Sequence, residues 1–169
     1  ILSVEAPAEA LELMFSNNVL KHFQFAEYDP TFFKHFCEFQ SRYGLIFLAS
    51  RLLVVAGLKP ENIKTMEKTL LIPKVFKKDI EAVSQVLNLK NLDSEQAVRA
   101  AIYKHGRVPT AQALIIELVQ DRVMNGYAPK ALEIVQKWDI PDFPLDGNDL
   151  TKAGIKAGPE MGGILTRIE

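Results

Sequence analysis

Proline stands where helices can begin. Pro7, Pro30, Pro60, Pro73, Pro129 and Pro159 each open a stretch whose apolar residues recur every three or four positions, and Pro109, or Thr110 beside it, opens another. Proline is tolerated at a first helical position because its missing N–H would have no intrahelical partner there, and its fixed φ already suits the helix. The two remaining prolines, Pro141 and Pro144, break any helix before the last stretch of chain. Period-two alternation, the mark of a half-buried strand, appears nowhere. The expected fold is therefore all-α, an array of about eight to ten short helices packed by ridges into grooves.

The apolar stripes say which faces pack. Ala10, Leu11 and Met14 share a face after Pro7, and Asn17-Asn18 ends that helix. Asp29 caps a helix from Pro30 to about Gly44 that carries Phe32, Phe33, Phe36 and Phe39. Four phenylalanines so spaced suggest either a base-stacking platform or, with only Lys34 alternating among them, a core face; the core face is the better reading. Leu45 to Val55 is apolar on nearly all sides, with Arg51 its one charge and Gly57 closing it, which marks a central helix. After Pro73, Phe76, Ile80, Val83 and Leu87 line one face while Lys74, Lys77 and Lys78 share the other. Asp93-Ser94-Glu95 caps a helix bearing Val98, Ala101 and Ile102, closed at Gly106, and the next runs through Leu114, Ile115 and Leu118 to Gly126. Leu132, Ile134, Val135 and Trp138 face inward in the helix after Pro129.

Charge and cysteine usage narrow the functional classes. The formal net charge of -1 over 169 residues gives no overall steering toward nucleic acid or membrane, so any such contact needs a local basic patch. No apolar run approaches the ~20 residues that span a bilayer. A lone Cys37, flanked by Phe36 and Phe39, reads as a core thiol, and a chain with no disulfide and no signal sequence is expected in a reducing, cytoplasmic compartment. His22, His35 and His105 lack ligand-like spacing with Cys37 or a carboxylate pair, and no Walker loop, zinc pattern or nucleophile elbow occurs. Lys104 and His105 read as cations complementing a helix C-terminus.

The final stretch, FPLDGNDLTKAGIKAGPEMGGILTRIE from Phe143 to Glu169, carries the strongest pattern. Asn148 or Asp149 can cap a turn at Leu150–Ala153 that Gly154 stops, and Gly158-Pro159 opens a second helix with Met161, Ile164, Leu165 and Ile168 on one stripe. Gly162 and Gly163 in its first turns each cost about 1 kcal/mol relative to alanine, which a close approach by a backbone or a phosphate would explain.

This stretch resembles the C-terminal signature of bacterial tRNA nucleotidyltransferases, the CCA-adding enzymes and their poly(A) polymerase relatives. The pattern FPL-x-G-x-DL-x-x-x-G-x-x-x-GP-x-x-G-x-x-L is met at Phe143, Pro144, Leu145, Gly147, Asp149, Leu150, Gly154, Gly158, Pro159, Gly162 and Leu165. Pro7–Met14 and Val19–Phe23 are similar to the segment that opens the same family's C-terminal half.

The resemblance implies a helical body over residues 1–140 and a truncated tail over 141–169, with the catalytic head and helical neck absent. Both ends look cut, and the chain is expected to be a piece of a longer polypeptide. Nucleotidyl transfer needs carboxylates that hold magnesium against CTP or ATP. In this family they belong to a D-x-D element of the head, and neither that element nor the neck's E-D-x-x-R pattern occurs here. The parent is expected to be an enzyme, the fragment inactive and without a cofactor of its own. What remains is binding the tRNA elbow by backbone shape. Lys152, Lys156 and Arg167 around Gly158 are the first candidates, and Lys74, Lys77 and Lys78 the second. A helical protein–protein interaction module is the rival reading, and a DNA-gripping helix-hairpin-helix a third; neither accounts for the spacing of the glycines together with the upstream match.

Overall fold

Local capping chemistry sets some of the helix starts. In the computed structural model, which describes residues 1–23, 28–68, 70–89, 92–120, 127–156 and 158–168, the Asp29 carboxylate accepts a hydrogen bond from the Phe32 N–H at 3.0 Å and opens α2 (Pro30–Tyr43). Ser94 Oγ does the same for the Ala97 N–H at 3.2 Å and opens α6 (Glu95–His105). Helix α1 (Ala8–Ser16) precedes a 3-10 turn at Leu20–Phe23. Then α3 (Leu48–Val55), α4 (Pro60–Met66) and α5 (Lys74–Leu87) lie between α2 and α6. Helices α7 (Arg107–Val119), α8 (Tyr127–Lys137), α9 (Gly147–Lys152) and α10 (Pro159–Ile168) complete the chain. The fold is an all-α array, and no strand occurs among the described residues.

Several boundaries fall elsewhere than the sequence pattern suggests. Helix α7 starts at Arg107, two residues before Pro109, because Gly106 at φ 92° turns the chain sharply enough to begin a new helix directly after α6. Pro109 then sits in the first turn, where its missing N–H costs nothing. Pro129 is likewise the third residue of α8, not its first. Helix α3 begins at Leu48, since Leu45–Phe47 is non-helical. Gly126, expected to end α7, lies outside the described residues.

The chain divides into two compact units, Ile1–Trp138 and Asp139–Glu169. The first is built on α3 and α7. Every residue from Ala49 to Val55 in α3 and from Thr110 to Ile116 in α7 is buried. Helix α7 packs against α2, α3, α5, α6 and α8, so it is the axis round which the unit is assembled. Leu53, Val55, Leu114, Ile115 and Ile116 show essentially no exposed surface, and truncating such a side chain to alanine costs about 2–5 kcal/mol.

Arg51 sits in this core with 0% exposure and no carboxylate partner among the described residues. Its Nε donates to Gln40 Oε1 at 2.8 Å, and Nη1 donates to the carbonyls of Leu2 at 2.7 Å and Val4. A buried charge is tolerable only when its donors are satisfied. Here it ties the first residues of the chain to the α2–α3 pair. Burial holds the guanidinium below its ordinary pKa. Gln40 Nε2 continues the network to Ser50 Oγ at 3.1 Å, and the Ser50 N–H donates to Gln112 Oε1 on α7 at 3.2 Å. Elsewhere Arg107 donates to the carbonyls of Val135 and Trp138, closing the C-terminus of α8, while Arg99 lies 5.6 Å over the Trp138 ring. Between α4 and α5 the chain exposes Leu71 completely.

Candidate nucleic-acid interface

The second unit is a pair of short helices whose entry is capped twice. Asp146, not Asn148 or Asp149, is the cap of α9. Its Oδ1 accepts from the N–H groups of Asn148 at 2.7 Å and Asp149 at 3.1 Å, and Asp149 Oδ2 accepts in return from the Asp146 N–H at 3.1 Å. These backbone donors, Asp149 first, hold the Asp146 carboxyl below the usual carboxylate pKa. The reciprocal box frees Leu150 to point inward, where it is buried. At the other end Gly154 takes φ 89°, and the Ile155 N–H returns to the Leu150 carbonyl at 3.0 Å. That is the left-handed closure only glycine adopts cheaply.

Helix α10 lies against α9, with Met161 Cε 3.4 Å from the point where a Cβ on Gly147 would stand. Gly158, Gly162 and Gly163 are exposed, and a Cβ built on any of them meets nothing within 4 Å. Among the described residues of this unit no backbone approaches this glycine face, so packing within the unit does not explain the pair Gly162-Gly163.

The candidate cations are placed unequally. Lys152, Lys156 and Arg167 are all exposed. Lys152 ends α9 and pairs with Asp149 Oδ1 at 3.2 Å, and Lys156 follows on the turn that leads to Gly158. Arg167 does not surround the start of α10. It lies eight residues beyond Pro159, about 12 Å up the axis. Charge in this unit is mixed along the sequence: Asp139, Asp142, Asp146 and Asp149 come first, Lys152 and Lys156 follow, and Glu160 stands in the first turn of α10 before Arg167.

The second candidate cluster sits at the start of α5. Lys74 and Lys78 are exposed, whereas Lys77 is half-buried and ion-paired with Glu67 Oε2 at 2.8 Å. That pair bridges α4 and α5 at the mouth of a 680 Å³ groove floored by Ile63 and Ile80. Lys77 is thus partly spent on holding two helices together. Lys74 and Lys78 are different. No acidic residue stands in the first turn of α5, and no side chain caps it. Cations at a helix N-terminus oppose the helix dipole by about 0.3–1 kcal/mol each. The dipole therefore gives no reason for Lys74, the first residue of α5, while open N–H groups in that turn suit an anion, with Lys78 one turn further on.

The histidines do not converge, and no group of three His, Cys, Asp or Glu that could hold a metal occurs among the described residues. His105 is desolvated, which depresses its pKa, with Lys104 adding to the effect, and its Nε2 finds no partner among the described residues. Burial pushes the Cys37 thiol up to about 11, which leaves it un-ionised at neutral pH. No helix among the described residues is long and apolar enough to cross a membrane.

The structure thus defines an all-helical domain that exposes basic side chains at the start of α5 and after α9. Residues 48–169 match the family model for tRNA nucleotidyltransferase domain 2, putative, and the chain belongs to that family. Over 62 residues it is 36% identical to CCA tRNA nucleotidyltransferase 1, mitochondrial, of Mus musculus, covering 37% of this chain and 13% of that relative. The relative of the same name from Danio rerio is 37% identical over 62 residues, covering 37% of this chain and 14% of the relative, and that from Homo sapiens is 43% identical over 37 residues, 22% and 8% respectively. The matched stretches thus span a small part of the relatives' length. No solved structure matches.

Proposed function

We propose that this chain is the RNA-holding helical portion of a tRNA nucleotidyltransferase, gripping the backbone of a tRNA while nucleotides are joined elsewhere in the parent protein. The observation that carries the reading is the family match across residues 48–169, which includes the whole α9–α10 element and the start of α5. The relatives' printed names give the reaction, addition of CCA to tRNA; poly(A) addition belongs to the same chemistry.

The basic elements fit this role. Lys152 and Lys156 precede α10, whose first turn also carries Glu160, while Lys74 and Lys78 lie within the first five residues of α5, where no acid stands in the first turn and no side chain caps the helix. Such surfaces read phosphates and shape, not sequence. Arg167 would touch the backbone further along α10. Magnesium and CTP or ATP belong, on this reading, to a head domain that supplies the transfer chemistry; the described residues offer no carboxylate cluster for them, and no step is assigned to this chain. A reducing compartment suits the lone buried thiol, the cytoplasm by the sequence reading, although the relatives' names carry the word mitochondrial.

Filter binding of tRNA to the 169-residue chain across a salt series tests the reading. Retention that weakens linearly in log–log form with salt is expected. Failure to retain tRNA at low salt, with helical content intact, would remove it.

A further inference from the structure

Helix α2 divides its aromatic residues between two environments. Phe33 and Phe36 have 0% exposure and belong to the core. Phe32, Phe39 and Tyr43, spaced seven and four apart, stay half-buried along one flank. Phe39 and Tyr43 stack on each other with centroids 6.3 Å apart and planes 27° from parallel. The exposed Arg42 guanidinium lies 5.2 Å from the Phe39 centroid and pairs with no carboxylate among the described residues. Lys34 and His35 are exposed one to two turns earlier, and Glu38 is the helix's one acid.

We propose that this flank, Phe39 with Arg42 and Tyr43, stacks an unpaired nucleobase of the bound RNA. The proposal rests on the RNA reading above. An aromatic pair kept partly in solvent contributes less to a core than a fully buried one, but it presents ring surface on which a base can stack. A guanidinium already parked on the ring adds a planar cation that reaches the adjoining phosphate. The excess of cations along the solvent side of α2 favours a polyanion over an uncharged apolar partner. Because every base has a π-face, such a contact is tolerant of sequence. It would supplement the phosphate contacts with affinity for an unstacked nucleotide.

The test compares two single-stranded RNA probes of about a dozen nucleotides, one complete and one with abasic positions, alongside whole tRNA. The complete probe is expected to bind the chain about tenfold more tightly than the abasic one, and Phe39→Leu is expected to erase that difference. Phe39→Trp should preserve it. Arg42→Gln, at an exposed position, keeps the comparison available if Phe39→Leu does not fold, and should weaken both tRNA and the complete probe. Equal behaviour of the two probes, whether both bind or neither does, overturns the stacking while tRNA retention by the same preparation leaves the RNA reading standing. Loss of tRNA retention by the parent chain itself defeats both. Self-association that Arg42→Gln abolishes, with RNA affinities unchanged, would assign the flank to a second copy of the chain and also overturn the proposal.

Discussion

Arg51 Nε and Gln40 Oε1 meet at 2.8 Å with both side chains fully buried, so a charge in the centre of the first unit is held by an amide and by backbone carbonyls of the chain's first residues. Arg51→Met leaves those acceptors in an apolar core without a donor, and is expected to cost about 3 kcal/mol. Gln40→Leu removes one acceptor and should cost about 2 kcal/mol. Urea unfolding followed by circular dichroism measures both. Hydrogen exchange should also show residues 1–5 released in Arg51→Met, and retained protection there would refute the tethering role.

The basic turn of the second unit is expected to act through phosphates alone. Changing Lys152, Lys156 and Arg167 together to Ala should lower tRNA affinity and reduce the slope of log affinity against log salt by about 2. Helical content should not change, since all three side chains are exposed. Lys77→Met is the contrasting case: its ion pair with Glu67 serves α4 and α5, so the salt slope should stay near its original value. An equal loss from both variants would argue against a localised grip.

The Asp146 cap makes the start of α9 sensitive to acid. Its folded carboxyl titrates below the ordinary value of 3.8, held there by the N–H groups of Asp149 and Asn148. The stabilisation is therefore present above the unfolded pKa and is lost as pH falls through the lower folded value. Amide exchange at Asn148 and Asp149 should accelerate in Asp146→Ala at pH 7, reproducing what acid does to the parent chain. Unchanged protection would place the cap's energy elsewhere.

Cys37 should be inert while the fold is intact. Burial first, and Glu38 secondarily, push its thiol to about 11 against the opposing pull of Arg51, and only the thiolate attacks disulfide reagents. Colorimetric titration at pH 7.5 is expected to show reaction only after denaturant is added. Rapid labelling of the native chain would contradict the packing of α2.

Helix starts that depend on a neighbouring polar side chain were legible residue by residue. Asp29 and Ser94 sit directly before their helices, and capping chemistry spans only three positions. The same locality misled at α9, where Asp146, Asn148 and Asp149 are all competent caps; burial of Leu150 selects among them, and burial is a property of the folded unit. Nothing near Arg51 in sequence announces that the carbonyls of Leu2 and Val4, 47 to 49 residues earlier in the chain, accept from it. Lys77 looked equivalent to Lys74 and Lys78 because the partner that distinguishes it, Glu67, comes from another helix. The phenylalanines of α2 share helical spacing in the sequence, yet only Phe33 and Phe36 are fully buried, while Phe32 and Phe39 lie on a partly buried flank.

Leu71, bare to solvent between α4 and α5, is a place where a protease favouring large apolar residues would nick this chain. The cut would leave α3 on one piece and both α5 and α7 on the other, although these helices bury their faces against one another. The severed halves would therefore stay together as a non-covalent complex and separate only when the core itself dissolves.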